Sequence, residues 1–216
     1  MNSEELEKLR KEYKMAALDF KQLSKEPLSL FNKWFKDASS AEEMEPNAMA
    51  LATVGKDMSP SVRMVLLKGI EREKFIFYTN YNSQKGIELM NNKNASLLFW
   101  WQSIERQVRI KGIVDKVSAQ ESDDYFKSRP VGSQLGAMSS PQSQVIESRD
   151  ILEDNFNTLS SQYKDENEIK RPKHWGGFEL NPTEFEFWQG RENRMHDRFR
   201  YRQVKGIGWV IERLAP

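Results

Sequence analysis

Between Phe185 and Arg202 the chain reads FEFWQGRENRMHDRFRYR. Arg194, His196 and Arg198 alternate there with Met195 and Asp197. In an extended backbone, side chains two apart share a face, so two guanidinium groups and an imidazole would line one side of a strand close to Trp188. Like charges in that arrangement call for an anion, and the arginine fork suits phosphate or carboxylate. The segment predicts a site for an anionic small molecule, a phosphorylated one first, beside an aromatic wall.

Other segments add to this. In RMVLLK, Arg63 and Lys68 stand five apart and face opposite sides of a regular strand. Either both are strand-end cations reaching water, or a bulge or a large ligand lets both meet one anion. In YTNYNSQKG, Tyr78 to Gly86, a strand end leads into a helix capped by Ser83. Free N–H groups at a helix start suit phosphate, and a phosphate would explain a lysine, Lys85, in the first turn. In ERQVRIKG, Gln107 shares a strand face with Arg109 and Lys111. Its amide donates and accepts, as a flavin or pyrimidine edge requires, although an ordinary solvated strand face explains that segment more simply. The stretch YFKSRPVGSQLGAMSSPQSQ gathers Tyr125, Arg129, Ser133, Gln142 and Ser143, is broken by Pro130 and Pro141, and reads as a ligand loop. GSQLG lacks the GxSxG spacing of a hydrolase elbow, and no helix follows GIGWVI, which argues against a dinucleotide fingerprint. DRFRYR interleaves aromatic and basic residues as single-strand nucleic-acid binders do, but no long basic stripe accompanies it.

The elements that must position these residues follow from periodicity. Leu6, Leu9, Tyr13, Ala16 and Phe20 mark an amphipathic helix capped by Asn2 or Ser3, and Pro27 opens a second with Leu28, Phe31, Phe35 and Ala38 on one face. Residues 1–40 thus form a helical segment packed on one domain, 41–216. AMALATV, VRMVLLKGI, KFIFYTN, ASLLFWW and RQVRIKGIVDKVS read as strands. Helix returns in SAQESDDYFKSRP and SRDILEDNFNTLSSQYK, and WGGFEL, EFEFWQG, MHDRFRYRQV and WVIERL supply four more strands. The class is α+β, with enough antiparallel strand to close a small barrel. The 216 residues bury roughly 70% of the unfolded surface, so no staple is required. No cysteine is present, which excludes disulfides, thiolate catalysis and Cys-ligated metal, and fits a reducing compartment. A net charge of +1 gives no global pull toward nucleic acid or membrane. LLFWW is far below the ~20 apolar residues of a bilayer span, and the N-terminus carries no secretory h-region. The expectation is a cytoplasmic protein without a metal, its two histidines being too far apart for an HExxH-type site.

Taken in order, RMVLLK, FYTNYNSQKG, ERQVRIKG, YFKSRPVGSQLGAMSSPQS, HWGGF, EFWQGRENRMHDRFRY and the terminal RLAP resemble the pyridoxine (pyridoxamine) 5'-phosphate oxidases. The resemblance implies a split β-barrel, mostly antiparallel, with N-terminal and inserted helices, active as a homodimer with FMN at the subunit interface. It places Arg63, Met64, Val65, Leu66, Leu67, Lys68, Tyr78, Thr79, Ser83, Gln84, Lys85, Gln107, Gln142, Ser143, Trp188 and Arg198 at the cofactor. Lys68, Tyr125, Arg129 and Ser133 would take the substrate phosphate, and Arg194 and His196 would cover the pyridine ring. RKEY, Arg10, Lys11, Glu12 and Tyr13, resembles a segment of secondary substrate contact. Gln84 stands where many members carry a basic residue, which removes one cation from the implied phosphate clamp.

The implied reaction is FMN-dependent oxidation of pyridoxamine or pyridoxine 5'-phosphate to pyridoxal 5'-phosphate with O2 as acceptor, releasing H2O2. In it Arg194 stabilises ring charge or positions the reacting carbon, and His196 does the same or handles protons. Three rivals remain: a flavin reductase on a similar barrel, a non-catalytic FMN or pyridoxal-phosphate binder, and a nucleic-acid module.

Overall fold

The computed structural model describes residues 2, 12–163, 165 and 168–216. The α+β class holds. Among the described residues nine strands and five α-helices follow in the order α1 (Pro27–Ser40), β1 (Ala48–Val54), β2 (Pro60–Leu66), β3 (Gly69–Glu71), β4 (Lys74–Asn80), α2 (Gln84–Asn91), β5 (Asn94–Trp101), β6 (Arg106–Lys116), α3 (Ala119–Ser128), α4 (Val131–Ser139), α5 (Asp150–Gln162), β7 (Trp175–Gln189), β8 (Asp197–Val204) and β9 (Gly208–Leu214). The strands hydrogen-bond in the order β2-β1-β5-β6-β7-β4-β3, with β8 on β7 and β9 on β8. The pairs β3–β4, β4–β7, β7–β8 and β8–β9 are antiparallel.

The chain divides into two compact units. Unit 1 comprises Met1–Met49, Leu97–Lys111 and Thr183–Pro216. Its core is aromatic: the α1 face buries Phe31 and Trp34, with Phe31 edge-on to Phe99 at 5.1 Å and Trp34 edge-on to Phe187 at 5.2 Å. Pro27 takes the first turn of α1, where its missing N–H has no partner to lose. Unit 2 comprises Ala50–Ser96 and Gly112–Pro182. Phe126, Leu135, Ile169 and Trp175 form a buried cluster there, with Tyr78 and Tyr125 packed against it.

Four local expectations are corrected. Residues 12–19 are not helical; the N–H groups of Lys14 and Met15 donate to Glu105 Oε2 and that of Leu18 to Asp197 Oδ2, so distant carboxylates replace the i−4 carbonyls. The remainder of that expected helix, and its cap at Ser3, lie outside the described residues. VRMVLLKGI is not one strand: it breaks at Leu67 and Lys68, where the Lys68 N–H donates to the Ile76 carbonyl. WGGFEL and EFEFWQG are not two strands but the single 15-residue β7. Pro182 sits inside it because β4 pairs with 175–180 and β8 with 184–189, so the proline falls where the strand changes partner on that edge. Finally, the loop expected from Tyr125 to Gln144 contains α4, which starts directly after Pro130.

Gly86, in the first turn of α2, shows why a small residue is needed there. A Cβ would stand 2.6 Å from the Tyr81 carbonyl carbon and 2.7 Å from the Asn80 carbonyl oxygen, both backbone atoms that cannot swing away. Gly86→Ala is expected to destabilise by about 1–3 kcal/mol through overpacking, read as a Tm lower by roughly 2–12 °C.

Candidate functional site

Within unit 2, β2, β4, α2, α3 and α4 surround a cavity of about 720 Å³, a size suited to a small-molecule ligand. Met64, Val65, Leu66, Lys68, Tyr78, Thr79, Lys85, Tyr125, Arg129, Ser133 and Gln142 all line it. The structure thus brings eleven of the site residues expected from the sequence to one place.

The cavity's charge is one-sided. Three cations, Lys68, Lys85 and Arg129, line it and no aspartate or glutamate does. Among the described residues Lys85 Nζ meets only neutral oxygens, Gln142 Oε1 at 3.2 Å and Ser83 Oγ at 3.4 Å. Burial lowers its pKa, and the nearby Arg63 charge lowers it further. Arg129 rests over the Trp175 ring, 4.6 Å from its centroid, and its buried Nη1 has no hydrogen-bond partner. Burial lowers the Arg129 pKa as well. Cations held out of water without a carboxylate are costly. A dianionic ligand reverses that cost, since charge-assisted bonds to phosphate strengthen in a dry site.

Aromatic stacking shapes the wall. Tyr78 and Tyr125 stack at 3.7 Å with 16° between their planes, and Trp175 lies parallel to Tyr125 at 6.2 Å. Burial, then the Glu71 charge, pushes the Tyr78 hydroxyl up to about 12, so it stays protonated and can donate. Ser83 caps α2, its Oγ accepting from the Gly86 N–H at 3.3 Å, which aims the start of α2 and Lys85 together.

Arg63, Leu67, Ser83, Gln84 and Ser143 do not line the cavity. Leu67 is core, and Ser143 takes a left-handed backbone with φ 72°. Arg63 pairs with the buried Glu88 at 3.2 Å and donates to Thr53 and the Leu51 carbonyl. Glu88 also accepts from Ser61 at 2.9 Å, from Gln84 at 2.9 Å and from Thr53. Burial pushes the Glu88 carboxyl up, but the hydrogen bonds from Thr53, Ser61 and Gln84 and the Arg63 charge outweigh it and hold it low. A folded-state pKa below the unfolded one gives stability present at neutral pH and lost as pH falls through the carboxylate range. Wild-type denaturation midpoints are therefore expected to drop more between pH 7 and pH 4 than those of Glu88→Gln, as urea titrations would show.

Unit 1 gathers a second group. Tyr13 lies edge-on to Trp188 at 5.6 Å and to His196 at 5.8 Å, and Trp188 packs on His196 at 4.6 Å. The expected alternation of Arg194, His196 and Arg198 on one strand face is not there: β8 starts at Asp197, while Asn193 and Arg194 are left-handed at φ 54° and 61°. The anion for Arg198 is the protein's own Glu186, reached by Nε at 3.0 Å and Nη2 at 2.8 Å. Arg109 pairs with the same carboxylate. Gln107 shares the Arg109 face of β6, half-buried. Glu12 pairs with Lys14 at 2.8 Å on the surface, and Arg10 and Lys11 lie outside the described residues.

Sequence reasoning missed Trp175, Glu88 and Glu186. The last was visible as acids alternating in EFEFW just before the arginines of DRFRYR; Glu88 is four residues after Gln84 in α2, one helical turn away.

The fold class is the split barrel and the site is an anion-holding cavity walled by aromatic rings. The family described as Pyridoxamine 5'-phosphate oxidase matches residues 35–163, and the Pyridoxine 5'-phosphate oxidase C-terminal dimerisation region matches residues 175–216. The chain is 53% identical to a pyridoxine/pyridoxamine 5'-phosphate oxidase of Salinibacter ruber over 96% of its length and 97% of the relative's. It is 51% identical to one of Paraburkholderia phymatum over the same shares. Among solved structures, PhzG from Burkholderia lata, in complex with tetrahydrophenazine-1-carboxylic acid, superposes with TM-score 0.87 at 29% identity, covering 95% of this chain and 100% of that one. An FMN-binding protein from Nostoc punctiforme related to pyridoxamine 5'-phosphate oxidase has TM-score 0.71 at 16% identity, covering 90% and 99%, and shares the fold. The chain belongs to the pyridoxine/pyridoxamine 5'-phosphate oxidase family.

Proposed function

We propose that this protein binds FMN and oxidises pyridoxamine or pyridoxine 5'-phosphate to pyridoxal 5'-phosphate, with O2 as acceptor and H2O2 as product. The observation that carries the reading is the cavity lined by Lys68, Lys85 and Arg129 with no carboxylate among its walls. Its residues fit two phosphorylated ligands. Lys85, the Ser83-capped start of α2, Thr79 and Gln142 would hold the FMN phosphate, with Met64, Val65 and Leu66 along the cofactor. Lys68, Tyr125, Arg129 and Ser133 would hold the substrate phosphate. On this reading Gln107, Trp188 and Arg198 would meet the cofactor, and Arg194 and His196 the substrate ring. FMN, when bound, accepts the electron pair from the substrate and passes it to oxygen. The protein's part is to grip the phosphate end, far from the reacting carbon, so that binding energy fixes orientation at the other end. The Trp175 ring replaces water on one side of the Arg129 guanidinium, which strengthens that charge's interactions.

A homodimer is the working assembly. Its support is the match to a C-terminal dimerisation region and the exposed apolar side chains Val62, Met64, Ile87 and Met90 of unit 2. No described helix is long and apolar enough to cross a membrane, and a cytoplasmic setting agrees with the absence of cysteine.

The absorption spectrum of the purified protein tests the reading. Yellow colour that bleaches without oxygen on adding pyridoxamine 5'-phosphate, and not on adding pyridoxamine, is the expected result. A colourless protein that takes up no FMN, or a yellow one indifferent to the phosphate, would overturn it. Bleaching by NADH alone would favour the flavin reductase.

A further inference from the structure

His196 has an environment that decides its protonation. Its Nδ1 lies 3.1 Å from the main-chain N–H of Arg191. A peptide N–H can only donate, so Nδ1 must carry the lone pair, and the proton of the neutral ring sits on Nε2. The turn that brings this N–H round is held from both sides. The Arg191 guanidinium pairs with Asp197 at 3.0 Å, and Asp197 also accepts from Arg213 at 3.1 Å and from the Leu18 N–H at 3.1 Å. Two successive left-handed residues, Asn193 and Arg194, complete the turn, a conformation that non-glycine residues keep only when the surroundings enforce it. Trp188 packs against the ring at 4.6 Å and Tyr13 lies edge-on to it at 5.8 Å. Among the described residues none accepts a hydrogen bond from Nε2, which leaves it as the ring's one polar atom available to a ligand. The charged residues of the 190–197 turn and of segment 12–19 are Glu12, Lys14, Asp19, Arg191, Glu192, Arg194 and Asp197. Burial, and then the Arg194 charge, lower the His196 pKa, in keeping with a neutral ring.

We propose that Arg191 and Asp197 are positioning residues that lock His196 as its Nε2–H tautomer, so that His196 serves as a hydrogen-bond donor to an oxygen acceptor of the bound ligand and not as a base. The assignment of the ring to the ligand rests on the oxidase reading above; the lock itself does not. A base would need a free lone pair facing the ligand, and here the lone pair is spent on the protein's own backbone.

The test separates the two. With His174→Gln the chain retains one imidazole, and two-bond proton–nitrogen correlation spectra at pH 7.5 report which ring nitrogen is protonated. The expected result is a protonated Nε2 and a lone pair on Nδ1, whether or not the protein oxidises anything. A protonated Nδ1 would overturn the lock. Arg191→Ala keeps the N–H but frees the turn, and is expected to give a mixed-tautomer signal; an unchanged signal would remove Asp197 and the Arg191 side chain from the lock. In turnover, the glutamine amide reaches about as far as Nε2 and the asparagine amide about as far as Nδ1. His196→Gln is therefore expected to retain at least tenfold more activity than His196→Asn. Equal loss in both variants, with a correct tautomer in the spectrum, would overturn the donor role while leaving the lock standing.

Discussion

Arg129→Met is expected to raise the KM for pyridoxamine 5'-phosphate by roughly thirtyfold to a few thousandfold while leaving Tm unchanged or higher. Both halves come from one observation. Arg129 is half-buried with an unpartnered Nη1, and its only described support is the Phe126 and Trp175 rings. In the ligand-free protein the cation is a burden, because desolvation is offset only by a cation–π contact of about 1–2 kcal/mol. Methionine keeps the stem's packing on Trp175 and removes the burden. A bound phosphate would give the same guanidinium charge-assisted bonds beside the Trp175 ring. Losing one partner of such a pair costs about 2–5 kcal/mol, and each 1.4 kcal/mol is tenfold in affinity. Steady-state kinetics and a thermal melt of the same preparation check the pair of signs. A Tm several degrees lower with KM unchanged would make Arg129 a structural residue and remove the central support for a phosphate site. Pyridoxamine, which has no phosphate, should bind the variant and the wild type equally weakly.

Unit 2 was the more legible part of the chain. AMALATV and KFIFYTN, read from β-branched and aromatic runs, are β1 and β4 to the residue. The Ser83 cap and the end of α3 before Pro130 were local signals with local causes, as was the Pro27 start of α1 in unit 1. Expectations failed where long-range partners decide. Residues 12–19 have helical spacing, yet Glu105 and Asp197 take their N–H groups, and nothing within ten residues announces that. Pro182 looked like a strand end because a proline cannot feed a ladder; it is tolerated only because two different strands share that edge of β7.

The arginine-rich segment taught the opposite lesson. Its charges were read as waiting for a ligand, but Glu186, Glu212 and Asp197 satisfy most of them within unit 1. The cations that share the cavity without an acid are Lys68, Lys85 and Arg129, about sixty residues apart in sequence and joined only by the fold. Surplus charge is a spatial property, and a linear reading sees it only where neighbours in sequence are neighbours in space.

Glu186→Met should destabilise the protein by about 3–5 kcal/mol, a Tm lower by roughly 6–20 °C. This carboxylate is 3% exposed and holds two guanidinium groups, Arg109 from β6 and Arg198 from β8. Arg109 already has a buried Nε without a partner, so little other acceptor capacity is at hand when the acid goes. Removing Glu186 leaves two cations in a partly dry sheet face, and the large cost is that of unpaired charge, not of lost attraction. The triple variant Glu186→Met, Arg109→Met and Arg198→Met is therefore expected to recover most of the lost Tm, since apolar groups of similar length replace the whole charged set. If the triple variant melts as low as Glu186→Met alone, the ion triad is itself the source of stability and the desolvation argument fails. If Glu186→Met melts with the wild type, the two arginines find water or each other's neighbours freely, and the sheet face is wetter than its burial indicates.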